Sequence, residues 1–419
     1  MKGFRGALKV ALLVGVLSLM VAGCGGGGGG GGESGGGEGG SIKIVSDLPL
    51  QGANRAQTIS MVNAIRLAID QRGGEVGGAR IEYESLDDAT AQSGQWDEGK
   101  CAENAQQAAQ DEEIVGWIGP FNSGCAAVEI PILNEAGLVM ISPANTYVGL
   151  TKQGGEPDEP DKYYPTGQRN YTRVIPADDK QGRLAAVLMR EEGVRTVFIL
   201  DDRETYGKGL ADQVQKSAEE FGIEVVGRQG IDGSASNYRG LMNRVRETNP
   251  DAIYFGGIIE NNAGQLVRDK VGAGMPNDEV LFIGPDGIFV DTFIEQAGDA
   301  AEGVYVTFGG IPPERLGERG QRFIEEYNAE YPDDPIQAYT AYAYEAANVL
   351  LDAIERAQEA DGEVNRENVL REVFATKNYK GVLGTWSFDE NGDTTLTKLS
   401  VQRVENGEFK LDRVLDVSQ

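Results

Sequence analysis

The pattern that most restricts this chain's fold is an alternation of short apolar runs with helical stretches of about ten to fifteen residues. The apolar runs read as strands at Ser41–Leu48, 81–86, Ile114–Ile118 and 138–142. They recur at Thr196–Asp201, 223–227, 252–255, 280–283 and 304–308. Stretches 61–69, 101–109 and 125–135 read as helices between the first set, and 181–192, 209–221, 236–248 and 262–273 between the second. Strands and helices in this order build parallel sheets covered by helices on both faces, an α/β architecture. From Ser41 onward the chain is too long for one hydrophobic core, so two doubly wound lobes are expected.

A polar excursion rich in proline and glycine, 149–167, interrupts the order and reads as an exposed loop. The alternation restarts at Asp178, which places 41–177 in a first lobe and 178–308 in a second. Residues 309–397 are expected to return to the first lobe and 398–419 to end in the second. The return rests on 337–357, the longest helical pattern, where Tyr342, Ala346, Val349, Leu350 and Ile354 form one stripe. Past Gly381 the period changes to two, with Asn391-Gly392 and Asn406-Gly407 as turn signals.

Stretch 118–146 carries the first candidate site. Ser123 follows one apolar run and opens a helix, where the free N–H groups of the first turn make an anion site. Thr146 follows the next run. Parallel strands joined by a helix bring both turns to one edge of the sheet, where open α/β folds bind ligands. Ser123 and Thr146 can therefore hold the two oxygens of a small carboxylate; simple helix capping is the alternative.

The beginning of the chain bounds its setting. Lys2, Arg5 and Lys9 flank an apolar run at 10–22 that is too short for a membrane span, so 1–23 reads as a signal peptide. Val21-Ala22-Gly23-Cys24 resembles the lipobox of bacterial lipoproteins, which implies lipidation of Cys24; an ordinary secretory signal is the alternative. Residues 24–40 add a glycine tract that behaves as flexible coil. The expectation is a domain tethered outside the cytoplasm, touching the membrane through its lipid anchor only.

A formal net charge of −28 argues against nucleic acid as a partner. The chain has no histidine, which removes the commonest general base and metal ligand. Without it a Ser–His pair cannot form, and no Gly-x-Ser-x-Gly elbow is present. No catalytic residue, metal or cofactor is expected. Cys101 and Cys125 are the two cysteines left after Cys24; in an exported protein such a pair is expected to form a disulfide, with buried free thiols as the alternative. Two phosphate-loop lookalikes fail. Gly94 to Cys101 lacks the final hydroxyl and carries Asp97 and Glu98, and Gly207-Lys208-Gly209 lacks a third glycine at Asp212.

Other strand-end turns add Tyr206, which can cover a ligand, and Asp286, which can accept from an ammonium group. In the order ISPANT, DDRETYGKGLA, GPDG, with Tyr339-Thr340-Ala341-Tyr342 and GTWSFDENGD following, the chain resembles the leucine/isoleucine/valine-binding proteins over 42–419. These are extracytoplasmic receptors of amino-acid ABC transporters. The resemblance implies two α/β lobes joined by three hinge crossings, closing on a small amino acid or related carboxylate that passes to a permease; a monomer is expected. It assigns Ser123, Thr146 and the backbone of Ala144 to the ligand carboxylate, Asp286 to the ammonium and Tyr206 to the cover. Arg55, Gln57, Phe121, Asn122, Ile258 and Glu260 would form the side-chain pocket. Asp286 stands where the family usually has glutamate, Asn122 stands where a small apolar residue is known, and the turn at 257–262 lacks the family's tyrosine pair; with Arg55 and Gln57 near the pocket, a polar or acidic amino acid stays open beside an aliphatic one. A sensor of the same fold for an amide, urea or small carboxylate is the alternative.

Overall fold

Every residue of Ile114–Ile118 is buried, as an interior strand covered on both faces requires. The computed structural model describes residues 40–418, so the signal peptide, Cys24 and nearly all of the glycine tract lie outside the described residues. The first part of the chain runs β1 (Ser41–Leu48), α1 (Arg55–Gln71), β2 (Glu75–Val76), β3 (Ala79–Asp87), α2 (Glu98–Gln110), β4 (Ile114–Ile118), α3 (Ser123–Glu135), β5 (Met140–Ser142) and β6 (Tyr171–Arg173). The second runs α4 (Asp178–Glu191), β7 (Thr196–Asp201), α5 (Thr205–Glu220), β8 (Glu224–Gly230), α6 (Arg239–Glu247), β9 (Ala252–Gly256), α7 (Ala263–Gly272), β10 (Leu281–Gly284), α8 (Asp291–Ala297) and β11 (Tyr305–Phe308). Then follow α9 (Glu318–Glu330), α10 (Thr340–Asp361), α11 (Arg366–Phe374), β12 (Tyr379–Gly381), β13 (Gly384–Trp386), β14 (Lys398–Glu405) and β15 (Glu408–Asp416).

Two doubly wound lobes result. The first sheet has the order β2-β3-β1-β4-β5-β6, and the second β15-β14-β11-β10-β9-β7-β8. β1, β3, β4, β5 and β6 pair in parallel, as do β7 to β11; β14 and β15 add an antiparallel edge. In each sheet the order reverses beside its first long strand, β1 or β7. Ligand crevices open outside the carboxyl ends of strands at such a point. The chain passes between lobes after β6, after β11 and before β14. At the first and third crossings the fully buried Arg173 donates from Nε to Asp393 at 2.7 Å and from Nη1 to the Tyr147 carbonyl at 2.7 Å.

α10 returns to the first lobe, and its expected stripe, Tyr342, Ala346, Val349, Leu350 and Ile354, is buried. It lies down on β4 because Gly116 has no side chain: a Cβ there would stand 2.5 Å from Leu350 Cδ2. No helix among the described residues is long and apolar enough to cross a membrane.

Several expectations need correction. α1 starts at Arg55 rather than at 61, because Pro49 and Gly52 confine the turn and Arg55, Ala56 and Gln57 are good helix formers. α4 starts at Asp178 rather than at 181; Asp178 and Asp179 in its first turn suit the positive end of the helix. The excursion 149–167 is exposed only in part, since Leu150, Thr151, Glu159, Tyr163 and Tyr164 are buried. Its aromatic rings repay burial because both hydroxyls find partners: Tyr163 donates to Glu159 at 2.9 Å and Tyr164 to the Leu150 carbonyl at 2.6 Å. The short elements α8, α11 and β12–β13 have no counterpart in the sequence reading.

The phosphate-loop lookalikes have structural explanations. Asp97 caps α2, accepting from Lys100 N at 3.0 Å. Gly207 and Gly209 are packing glycines. A Cβ on Gly207 would lie 2.5 Å from the Gly256 carbonyl oxygen, and one on Gly209 2.4 Å from the Tyr147 ring.

Candidate functional site

The carboxyl ends of β4 and β5 supply one wall of the cleft, and side chains tie their loops into one unit. Ser142 Oγ donates to the Pro120 carbonyl at 3.1 Å and accepts from Ala144 N and Asn145 N at 3.2 and 2.9 Å. Asn145 Nδ2 donates to the Phe121 carbonyl at 2.8 Å. Ser123 is the first residue of α3, and its Oγ accepts from Tyr147 N at 3.3 Å. The hydroxyl thus bridges the two loops and keeps its own proton for a ligand. Ala144 lines the void, and its N–H is given to Ser142. Thr146 Oγ1 is buried without a hydrogen-bond partner.

The other wall comes from the ends of β7, β9 and β10. Asp286 is buried, and its Oδ1 accepts from Tyr206 Oη at 2.9 Å and Gln181 Nε2 at 2.5 Å, while Oδ2 accepts from Tyr339 Oη. Burial pushes the Asp286 pKa up, and the hydrogen bonds from Tyr339, Gln181 and Tyr206 pull against it. Asp178 lies close behind, fully buried with neither carboxylate oxygen partnered. Burial and then the neighbouring Asp286 charge hold its pKa well above the carboxylate range. Gly287 is required where it stands, since a Cβ would meet the Gly257 carbonyl oxygen at 2.5 Å.

Phe121, Asn122, Ser123, Ala144, Tyr206, Ile258, Asp286, Gly287 and Tyr339 meet around one void of about 20 Å³. That is room for a single water. An amino acid is several times larger, so the walls must part to admit one. One pole of the void offers donors, the Ser123 hydroxyl and the α3 N-terminus, and the other offers the buried carboxyl of Asp286. This suits a molecule carrying an anionic and a cationic group.

Of the remaining expected residues, Thr146 sits beside the void without lining it. Arg55 is exposed and Gln57 is buried in α1 with an unpartnered amide; neither lines the void. Glu260 holds the two lobes together instead of facing the void: its Oε1 accepts from Asn54 N and its Oε2 from Asn54 Nδ2, both at 2.9 Å. Burial pushes its pKa up to about 7. A second contact of this kind joins Trp96 Nε1 to Glu204 Oε2 at 3.1 Å. Tyr339, Gln181 and Asp178 are absent from the sequence reading of the site. The available signal for Asp178 and Gln181 was a carboxylate and an amide three residues apart at a helix start. Cys101 and Cys125 are joined between α2 and α3 in the structure.

A family model described as periplasmic binding protein matches residues 41–408. The chain belongs to this family. A leucine-, isoleucine-, valine-, threonine- and alanine-binding protein of Pseudomonas aeruginosa is 27% identical over 332 residues, 78% of this chain and 80% of the relative. Among solved structures, a leucine-binding protein of Thermotoga maritima superposes with a TM-score of 0.77 at 27% identity, covering 90% of this chain and 99% of that one. A solute-binding protein of an ABC transporter from R. palustris in complex with benzoate shares the fold, with a TM-score of 0.72 at 18% identity, covering 89% and 96%. The fold is that of type I periplasmic binding proteins. Membership assigns this chain a substrate-binding role in an extracytoplasmic setting.

Proposed function

We propose that this chain captures a small α-amino acid between its lobes and delivers it to an ABC transporter permease. The observation that carries this reading is the pairing across one void of the Ser123 hydroxyl, at the N-terminus of a thirteen-residue helix, with the buried carboxylate of Asp286. Ser123, Thr146, the backbone of Ala144 and the α3 N-terminus take the ligand carboxylate, Asp286 takes the ammonium, and Tyr206 covers the ligand. Phe121, Asn122 and Ile258 select its side chain. Relatives named for leucine, isoleucine and valine support the ligand class. The protein is anchored outside the cytoplasm by a lipid on Cys24, with Cys101 and Cys125 oxidised, and acts as a monomer without cofactor, metal or catalytic turnover.

A second reading, a small carboxylate lacking the ammonium, draws on one feature: Asp286 already accepts from Tyr206, Tyr339 and Gln181. A thermal-shift screen of amino acids and simple carboxylates separates the two, since a ligand at 100 times its Kd adds about 2.7 kcal/mol of stability. Stabilisation by amino acids and not by their deaminated analogues supports the first reading. The reverse order contradicts it.

A further inference from the structure

The three crossings enclose a cavity of about 230 Å³, more than ten times the void in the cleft. Pro176 comes from the first crossing, Ile311 from the second and Leu396 from the third, with Lys398 at the start of β14; Leu383 and Tyr342 close it from the returning segment. Its volume falls below the roughly 300 Å³ at which drug-sized sites begin, so its occupant is a small metabolite-sized molecule.

Two unspent groups define the chemistry. Tyr342 Oη accepts from Ile311 N at 3.1 Å, and its own proton has no acceptor among the described residues although the side chain is 2% exposed. Burial raises its pKa, so it remains a donor. Lys398 is exposed at the rim and has no ion-pair partner within 4.0 Å among the described residues; Asp416 lies opposite it in the β14–β15 register and supplies only longer-range charge. A buried hydroxyl donor and a cation facing one cavity suit a carboxylate, and Pro176, Ile311, Leu383 and Leu396 suit an apolar body.

We propose that this cavity is a second binding site, for a small monocarboxylate with an apolar body, its carboxylate between Tyr342 Oη and Lys398 Nζ. Since closure moves the crossings against one another, occupancy here is linked to occupancy of the cleft. That linkage rests on the capture reading above; the binding itself does not.

Fluorine NMR of para-fluorobenzoate tests it, using the full chain, Leu396→Trp to fill the cavity, Lys398→Gln to remove the cation and Ser123→Ala to impair the cleft. The expected result is a saturable bound signal that persists in Ser123→Ala, is lost in Leu396→Trp and weakens about tenfold or more in Lys398→Gln. Lys398 is exposed, so its variant reports even where Leu396→Trp perturbs folding. A signal lost in Ser123→Ala but kept in Leu396→Trp and Lys398→Gln places the acid in the cleft and overturns the proposal. The absence of saturable binding at millimolar acid also overturns it.

Discussion

Asn54 and Glu260, 206 positions apart in the chain, meet across the cleft in a two-point hydrogen bond, with backbone N and Nδ2 each 2.9 Å from a carboxylate oxygen. Asn54 stands at the start of α1 in the first lobe, and Glu260 in the turn after β9 in the second. The contact therefore exists only while the lobes are together.

This latch predicts a pH-dependent affinity. The closed form raises the Glu260 pKa from 4.5 to about 7, so it binds the proton more tightly than an open form with a solvated carboxylate. Closure is then favoured below the ordinary value and loses that contribution as pH rises through about 7. Calorimetric affinity of the wild type should fall between about pH 5 and pH 8, and Glu260→Gln should flatten the part due to this group.

Global stability should show the same sign. Asp47, Asp202 and Glu345 are each pushed up to about 7 by burial, so the folded state takes up protons that the unfolded chain releases. The contribution of these three groups is fully present below the unfolded carboxylate values and is lost as pH rises through about 7. The melting temperature at about pH 5 should exceed that at about pH 8. The opposite order would mean that these acids are solvated.

The crossing is held by Arg173 and Asp393. Asp393→Asn leaves the buried guanidinium without its counter-charge and should cost about 3–5 kcal/mol in urea unfolding. Asp393 has its pKa depressed by Arg173 and Lys152, so the pair's contribution is lost only as pH falls below the ordinary carboxylate range. It should be constant around neutrality.

The Cys101–Cys125 link closes a loop of sequence separation 24. Removing it by a dithiol, or with Cys101→Ser and Cys125→Ser together, should lower the unfolding free energy by about 3–4 kcal/mol. An unchanged urea midpoint would indicate that the protein in solution holds free thiols.

Much of this architecture is legible without coordinates, for a specific reason. Strand-helix alternation fixes where strand-end turns fall, and those turns present Ser123, Ala144, Tyr206, Ile258 and Asp286 to one void. What stayed hidden depends on contacts that no local pattern encodes. Tyr339 reaches Asp286 from the start of α10, and Asp178 and Gln181 reach the same place from the start of α4, at a crossing rather than a strand end. Glu260 was visible as a polar residue in the right turn, but its partner Asn54 lies in a distant segment, so its use as a latch was not. The buried half of 149–167 was masked by its charge, since Glu159 is carried inside by the hydroxyls of Tyr147 and Tyr163.

In the proposed capture, the buried carboxyl of Asp286 receives the ammonium of the amino acid. Calorimetry of the wild type and Asp286→Ala, against the amino acid that stabilises the wild type most, tests it directly. An affinity loss of at least about a hundredfold is expected in Asp286→Ala, with the melting transition still cooperative. Unchanged affinity in that variant would contradict it.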